Sequence, residues 1–176
     1  ETAVRYCLEL VDFENQAQRS PEYLTLNPNG RVPTLIEGGF VMYEAAAITM
    51  YIADQHKEAG LAPPPATLSR ARYYQWMAHL TNSVQEALNQ WFHPDHFVSG
   101  SQSERLFKKN AEKRLEKLWA NLDEALSKSP YLLGDKFSAC DAYLFFLTCW
   151  QTRLKKSMIR ERPHLAKFFQ TVRNRP

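Results

Sequence analysis

Pro63, Pro64 and Pro65 stand in a row within LAPPPATLSRAR. Three consecutive prolines fix φ, withhold three backbone donors and hold the chain extended, so no helix runs through them. The segments on either side of this stretch must therefore be built separately. We place a first domain over residues 1–60, a linker over 61–67 and a second domain over 68–176.

The two halves carry different periods. In RYCLELVDF, Arg5 to Phe13, apolar residues alternate between two faces, which suits a strand. Ser20 to Leu24 has the form of a capped helical turn, with Pro21 at the first helical position, where its missing N–H costs nothing, and an end near Asn27. Asn27, Pro28, Asn29 and Gly30 mark a tight turn. The apolar runs Val32 to Ile36 and Phe40 to Tyr43 then flank Gly38 and Gly39 as a hairpin would. A helix is expected from Glu44 to His56, since Ala47, Ile48, Tyr51 and Ile52 fall at helical spacing.

Beyond the prolines every segment is helical in pattern. Leu68 to Trp91, Ser103 to Ser127, Ser138 to Arg153 and Pro163 to Arg173 each repeat apolar residues at intervals of three and four. Before the third of these, Ser138 and Asp141 have the spacing of a capping box. The hydroxyl would accept a first-turn N–H and the carboxylate would reach back to the Ser138 amide, with Phe137 and Ala142 as the staple.

Composition narrows the function classes. With 44% hydrophobic and 23% charged residues, the chain has a globular make-up rather than a disordered one. No apolar run approaches the ~20 residues of a membrane span and no signal segment opens the chain, so we expect a cytoplasmic protein with no membrane partner. The net charge is only +3, and Lys155, Lys156, Arg160 and Arg162 lie among acidic and apolar residues. A nucleic-acid partner is not expected. Cys7, Cys140 and Cys149 are odd in number and show no metal-ligand spacing, so neither a disulfide framework nor a metal is expected. Cys140 and Cys149 read as buried, inert thiols, while the strand pattern leaves Cys7 open.

Taken together, NPNGRVPTL, FVMYEAAAI, the proline linker and YLLGDKFSACDAYLFFLTCW resemble the cytosolic glutathione transferases, and the last segment is similar to bacterial members of the beta class. The resemblance covers nearly the whole chain. It implies an α/β plus all-α fold, a thioredoxin-like domain lacking its first strand here and then the family's helical C-terminal domain. It also implies glutathione as co-substrate, with Pro33 in the cis form and the Val32 backbone pairing with the cysteinyl part. Arg31 would face the glycyl carboxylate, Glu44 the γ-glutamyl amine, and Ala45, at a helix N-terminus, the α-carboxylate. Ala45 departs from the family's serine and removes one hydrogen bond, worth about 1 kcal/mol net.

The second substrate, a small electrophile, would meet Trp76, His79, Leu80 and Ser83, with Trp91 and Phe92 as further candidates, and Gln85 stands where beta-class enzymes often have histidine, with Tyr73, Trp76 and His79 nearby. The resemblance puts the sulfur-activating residue after a first strand that this sequence lacks, so the catalytic residue is unknown and the ends, Glu1 and Arg175–Pro176, are expected to be trimmed. The expected activity is conjugation of the glutathione thiolate to electrophiles, or reduction or isomerisation in the same site, by a homodimer. A catalytically inactive binding or structural module of the same fold is the alternative.

Overall fold

The computed structural model describes residues 2–151 and 158–175. The chain divides into two compact units, Glu1–Ala62 and Pro63–Pro176.

In the first unit, Ser20 caps helix α1 (Pro21–Leu26): its Oγ accepts the Tyr23 N–H at 3.1 Å, and Pro21 occupies the first helical position. A tight turn comes next, in which Gly30 takes φ +59° and a Cβ would come within 3.0 Å of the Gln18 carbonyl oxygen, so glycine is required there. Strands β1 (Thr34–Glu37) and β2 (Phe40–Tyr43) form an antiparallel hairpin around Gly38 and Gly39, with Thr34 facing Tyr43 and Glu37 facing Phe40. Helix α2 (Ala45–Gln55) leaves β2 directly and buries Ile48 and Ala53. The Tyr51 hydroxyl donates to Glu37 Oε2 at 2.8 Å, tying α2 to the hairpin.

One expectation fails in this unit: Arg5 to Phe13 is not a strand. Tyr6, Leu8 and Leu10 are 81%, 71% and 88% exposed. Alternation marks which side chains could share a face, but a strand also needs a neighbour for its N–H and C=O groups. Among the described residues, none pairs with this segment; the sheet contains β1 and β2 alone.

The second unit opens with the prolines pinned to helix α3 (Leu68–His79). Thr67 caps it by accepting the Arg70 N–H at 3.1 Å, and the Thr67 hydroxyl donates to the Pro64 carbonyl. Buried Arg70 donates to the Pro63 carbonyl at 2.9 Å and lies over the rings of Tyr73 and Tyr74. The expected helix over Leu68 to Trp91 is present but not uniform. A π-helical turn, Leu80–Gln85, separates α3 from α4 (Glu86–Phe92). After a 3₁₀ turn, Pro94–His96, comes α5 (Ser101–Ser127), then α6 (Ala139–Gln151) and α7 (Pro163–Arg173). The expected last residues of α6, through Arg153, and the basic pair Lys155 and Lys156 lie outside the described residues.

The core of this unit is built from one stripe of each helix: Tyr73, Met77, Leu80, Val84, Ala87 and Leu88; Leu115, Trp119 and Leu122 of α5; Leu144 and Leu147 of α6; Leu165 and Phe168 of α7. At α7, Asp123 of α5 accepts the Leu165 N–H at 2.8 Å, satisfying one orphan donor of the helix start.

The start of α6 corrects the capping-box expectation in part. Asp141 does reach back to the Ser138 amide, at 2.8 Å, but the Ser138 hydroxyl donates to the same Oδ2 at 2.7 Å instead of accepting a backbone N–H. The other oxygen of Asp141 accepts the Leu132 N–H at 2.9 Å. Phe137 packs edge-on against Tyr131 and under the Arg175 guanidinium, contacts that Ala142 is too short to offer. Burial raises the pKa of Asp141, and the three donors oppose that rise.

Asp141→Ala strands two buried backbone N–H groups, and should lower stability by about 2–4 kcal/mol in denaturant titrations; a loss under about 0.5 kcal/mol would contradict the bracket's importance. The thiols of this protein should also differ in reactivity. Cys140 is buried, its thiol donates to the Tyr73 carbonyl, and burial pushes its pKa up to about 12, whereas Cys7 is exposed. Because the folded thiol holds its proton more tightly than an unfolded one, Cys140 costs stability only as pH rises above about 8.5. A short iodoacetamide pulse at pH 8, read by peptide mass spectrometry, should label Cys7 and spare Cys140 until the chain unfolds.

Candidate functional site

The hairpin register decides what meets at its open end. The ladder ends with Thr34 opposite Tyr43, so this end of the hairpin is where Val32 and Pro33 lead into β1 and Glu44 and Ala45 lead out of β2. Four of the five expected glutathione residues therefore adjoin this end along the chain, and Arg31 precedes them in sequence.

The Val32–Pro33 bond is cis, as the resemblance implies. The segment before it is held by α1. Tyr23 Oη and Asn27 Nδ2 both donate to the Arg31 carbonyl, each at 2.7 Å, and Tyr23 Oη also lies 2.9 Å from Thr34 Oγ1. Asn27 is buried, and its side-chain oxygen accepts the Asn29 N–H at 3.1 Å. This clamp leaves Val32 44% exposed, with no hydrogen bond on its N–H or C=O among the described residues. An exposed residue just ahead of a strand, with both backbone groups unsatisfied, is a ready edge for a peptide to pair against. The Arg31 guanidinium is exposed beside it.

Glu44 supplies the second half of the site. It stands at the N-cap of α2 with φ 74° and ψ 103°, and its carboxylate makes no capping bond. Such backbone costs a non-glycine residue of the order of 1–3 kcal/mol and persists where the surroundings impose it. Here β2 must end and α2 begin with no intervening loop. The Glu44 carbonyl accepts the Ile48 N–H at 2.9 Å, so α2 is regular from its first turn, and the N–H groups of Ala45, Ala46 and Ala47 have no side-chain cap. Uncapped donors at the positive end of a helix attract a carboxylate, and the Glu44 carboxylate next to them attracts an ammonium. The site thus offers partners for both charges of an amino-acid zwitterion.

In the second unit, Trp76, His79 and Ser83 lie half-buried along one face, and Trp76 meets His79 edge-on with ring centroids 5.8 Å apart. Burial lowers the pKa of His79. Leu80 corrects its assignment as a pocket wall. It is 0% exposed, because it follows Tyr73 by seven residues and Met77 by three and so belongs to the core stripe. Gln85 closes the π turn and accepts a hydrogen bond from Tyr143 Oη at 2.5 Å.

Sequence reasoning missed the positioning pair Tyr23 and Asn27. The available signal was the Asn-Pro-Asn-Gly turn, since an asparagine there bonds backbone two residues on. It also passed over His93, Asp95 and His96 of the HPDH stretch, whose ligating atoms lie within 4.8 Å of one another.

Comparison with known proteins bears on the family and the fold. The glutathione S-transferase N-terminal domain model matches residues 1–54, and the C-terminal domain model matches residues 86–176. Glutathione S-transferase GstA of Escherichia coli O157:H7 is 27% identical over 178 residues, covering 100% of this chain and 85% of that protein. A Sulfitobacter glutathione transferase homologue, solved with bound glutathione, superposes with a TM-score of 0.87 at 26% identity over 99% of this chain and 83% of its own. A beta-class glutathione S-transferase of Sphingomonas chungbukensis is 30% identical, with a TM-score of 0.78 over 92% of this chain and 79% of that one. With a thioredoxin-like unit ahead of a helical one and both family models matched in order, the chain belongs to the glutathione S-transferase family.

Proposed function

We propose that the chain binds glutathione at the open end of the β1–β2 hairpin and serves a transferase that joins the glutathione thiolate to small electrophiles. The observation that carries this reading is the unpaired, exposed backbone of Val32 at the same end of the hairpin as the uncapped N-terminus of α2.

Each group has one task. The Val32 N–H and C=O pair with the cysteinyl residue as one more strand would. The first-turn N–H groups at Ala45 hold the γ-glutamyl α-carboxylate, the Glu44 carboxylate holds the adjacent ammonium, and Arg31 holds the glycyl carboxylate. These contacts fix the tripeptide at both ends and bring the sulfur to one defined place, the entropic part of catalysis. None of these four residues activates the sulfur. In this reading the sulfur is activated by a separate hydroxyl or thiol that lowers the thiol pKa. Trp76, His79 and Ser83 receive the electrophile, and two copies of the chain assemble as a homodimer in the cytoplasm.

The full-length protein tests this directly by retention on immobilised glutathione and turnover of a chloronitrobenzene. Retention and turnover are expected. Retention without turnover would favour the binding-module alternative, which the missing Ala45 hydroxyl suits, and neither would overturn the glutathione reading.

Two substitutions sharpen the test. Glu44→Gly removes the carboxylate and relieves the positive φ, so the KM for glutathione should rise about tenfold or more while the thermal midpoint does not fall. Ala45→Ser supplies the absent hydroxyl and should tighten glutathione about fivefold, the equivalent of roughly 1 kcal/mol. Unchanged glutathione binding in both variants would remove α2 from the site.

A further inference from the structure

The turn between α4 and α5 carries a group of side chains that the glutathione reading does not use. His93 ends α4, its N–H donating to the Asn89 carbonyl at 2.8 Å, and Pro94–His96 form a single 3₁₀ turn. Within that turn His96 N–H donates to the His93 carbonyl at 3.1 Å, and Phe97 and Val98 N–H both donate to the Pro94 carbonyl at 3.0 Å. The backbone of all four residues in HPDH is therefore fixed, and Pro94 adds its own fixed φ.

From this rigid base three side chains rise together. The rings of His93 and His96 stand nearly parallel, 12° apart with centroids at 5.0 Å, and His96 Nε2 lies 3.8 Å from Asp95 Oδ2. The three ligating atoms fall within 4.8 Å of one another, and all three residues are exposed. In a tetrahedral site with bonds of about 2.0–2.1 Å, ligating atoms sit roughly 3.3 Å apart. The donors must converge by about an ångström and a half, a motion that side-chain rotation at the surface supplies without moving the turn. Phe92 lies next to the cluster, its ring 6.4 Å from that of His93 and edge-on to Trp150 at 6.3 Å.

We propose that His93, Asp95 and His96 form a binding site for one divalent transition-metal ion of the zinc or nickel type, with solvent completing the coordination. Two imidazoles and one carboxylate select such borderline ions over magnesium and calcium, which prefer all-oxygen sets. The ion would fasten the end of α4 to the turn that packs against α5, and so favour the folded state by mass action.

The test uses tag-free protein stripped with EDTA and titrated with Zn²⁺ or Ni²⁺ by calorimetry, with the thermal midpoint followed in parallel. One equivalent per chain should bind, and saturating metal should raise the midpoint. His93→Ala and His96→Ala should each weaken binding at least tenfold and abolish the rise. His164→Ala should do neither; nor should His56→Ala, which removes the surface pair formed with Glu58 at 3.3 Å. Because His93, His96 and His164 are exposed and His56 is only half-buried, the variants should keep the unliganded midpoint, and circular dichroism confirms that they fold. Absence of binding at millimolar metal, or binding that survives both His93→Ala and His96→Ala, overturns the proposal.

Discussion

The helical unit depends on one buried carboxylate. Asp141 ties together the loop residue Leu132, the amide and hydroxyl of Ser138, and by position the first turn of α6, a helix that buries eight of its thirteen residues. A charge in that place is tolerated only because three donors surround it, and each of those donors would in turn be orphaned without it. The interaction works as a unit: partial loss is worse than apolar replacement of the whole. Its output is positional, since α6 then carries Cys140 to the α3 backbone and Tyr143 to Gln85.

Much of this was legible in the sequence because helices announce themselves through a local period. The bounds of α7 match the apolar repeat, and α1 is signalled by Ser20 and Pro21 before it begins. The hairpin was legible for a similar reason, two adjacent glycines between apolar runs. Strand formation at Arg5 to Phe13 was misread because the requirement that failed there, a hydrogen-bonding neighbour, is not written in the segment itself. Leu80 was misassigned for another reason. Proximity in sequence to Trp76 and His79 suggested a shared wall, whereas its spacing from Tyr73 and Met77 sets it on the neighbouring stripe.

The site was legible to the extent that it is made of backbone. Val32, Pro33 and Glu44 were recognisable by order along the chain, and the pairing of β1 with β2 brings together the strand ends that they adjoin. What the sequence did not disclose was how the chain is held there. Tyr23 and Asn27 grip a carbonyl rather than a side chain, and the Asn-Pro-Asn-Gly signal announces a turn without naming the group it holds. The unusual φ of Glu44 belongs to the same class: it results from joining β2 to α2 without a loop and appears in no propensity scale.

The π turn at Leu80–Gln85 gives the first long helix of the second unit a property beyond its local geometry. A π turn accommodates one residue more than regular α-helix does, and one α-helical residue turns the chain by about 100°. Length and facing are therefore uncoupled in this helix, because the wider turn absorbs the rotation that the extra residue would add. Losing a single residue between Leu80 and Gln85 would leave a continuous α-helix in which the Trp76 and His79 face keeps its direction against the Gln85 end that Tyr143 holds. This stretch is where the helix can change by one residue in length and still aim the same aromatic side chains the same way.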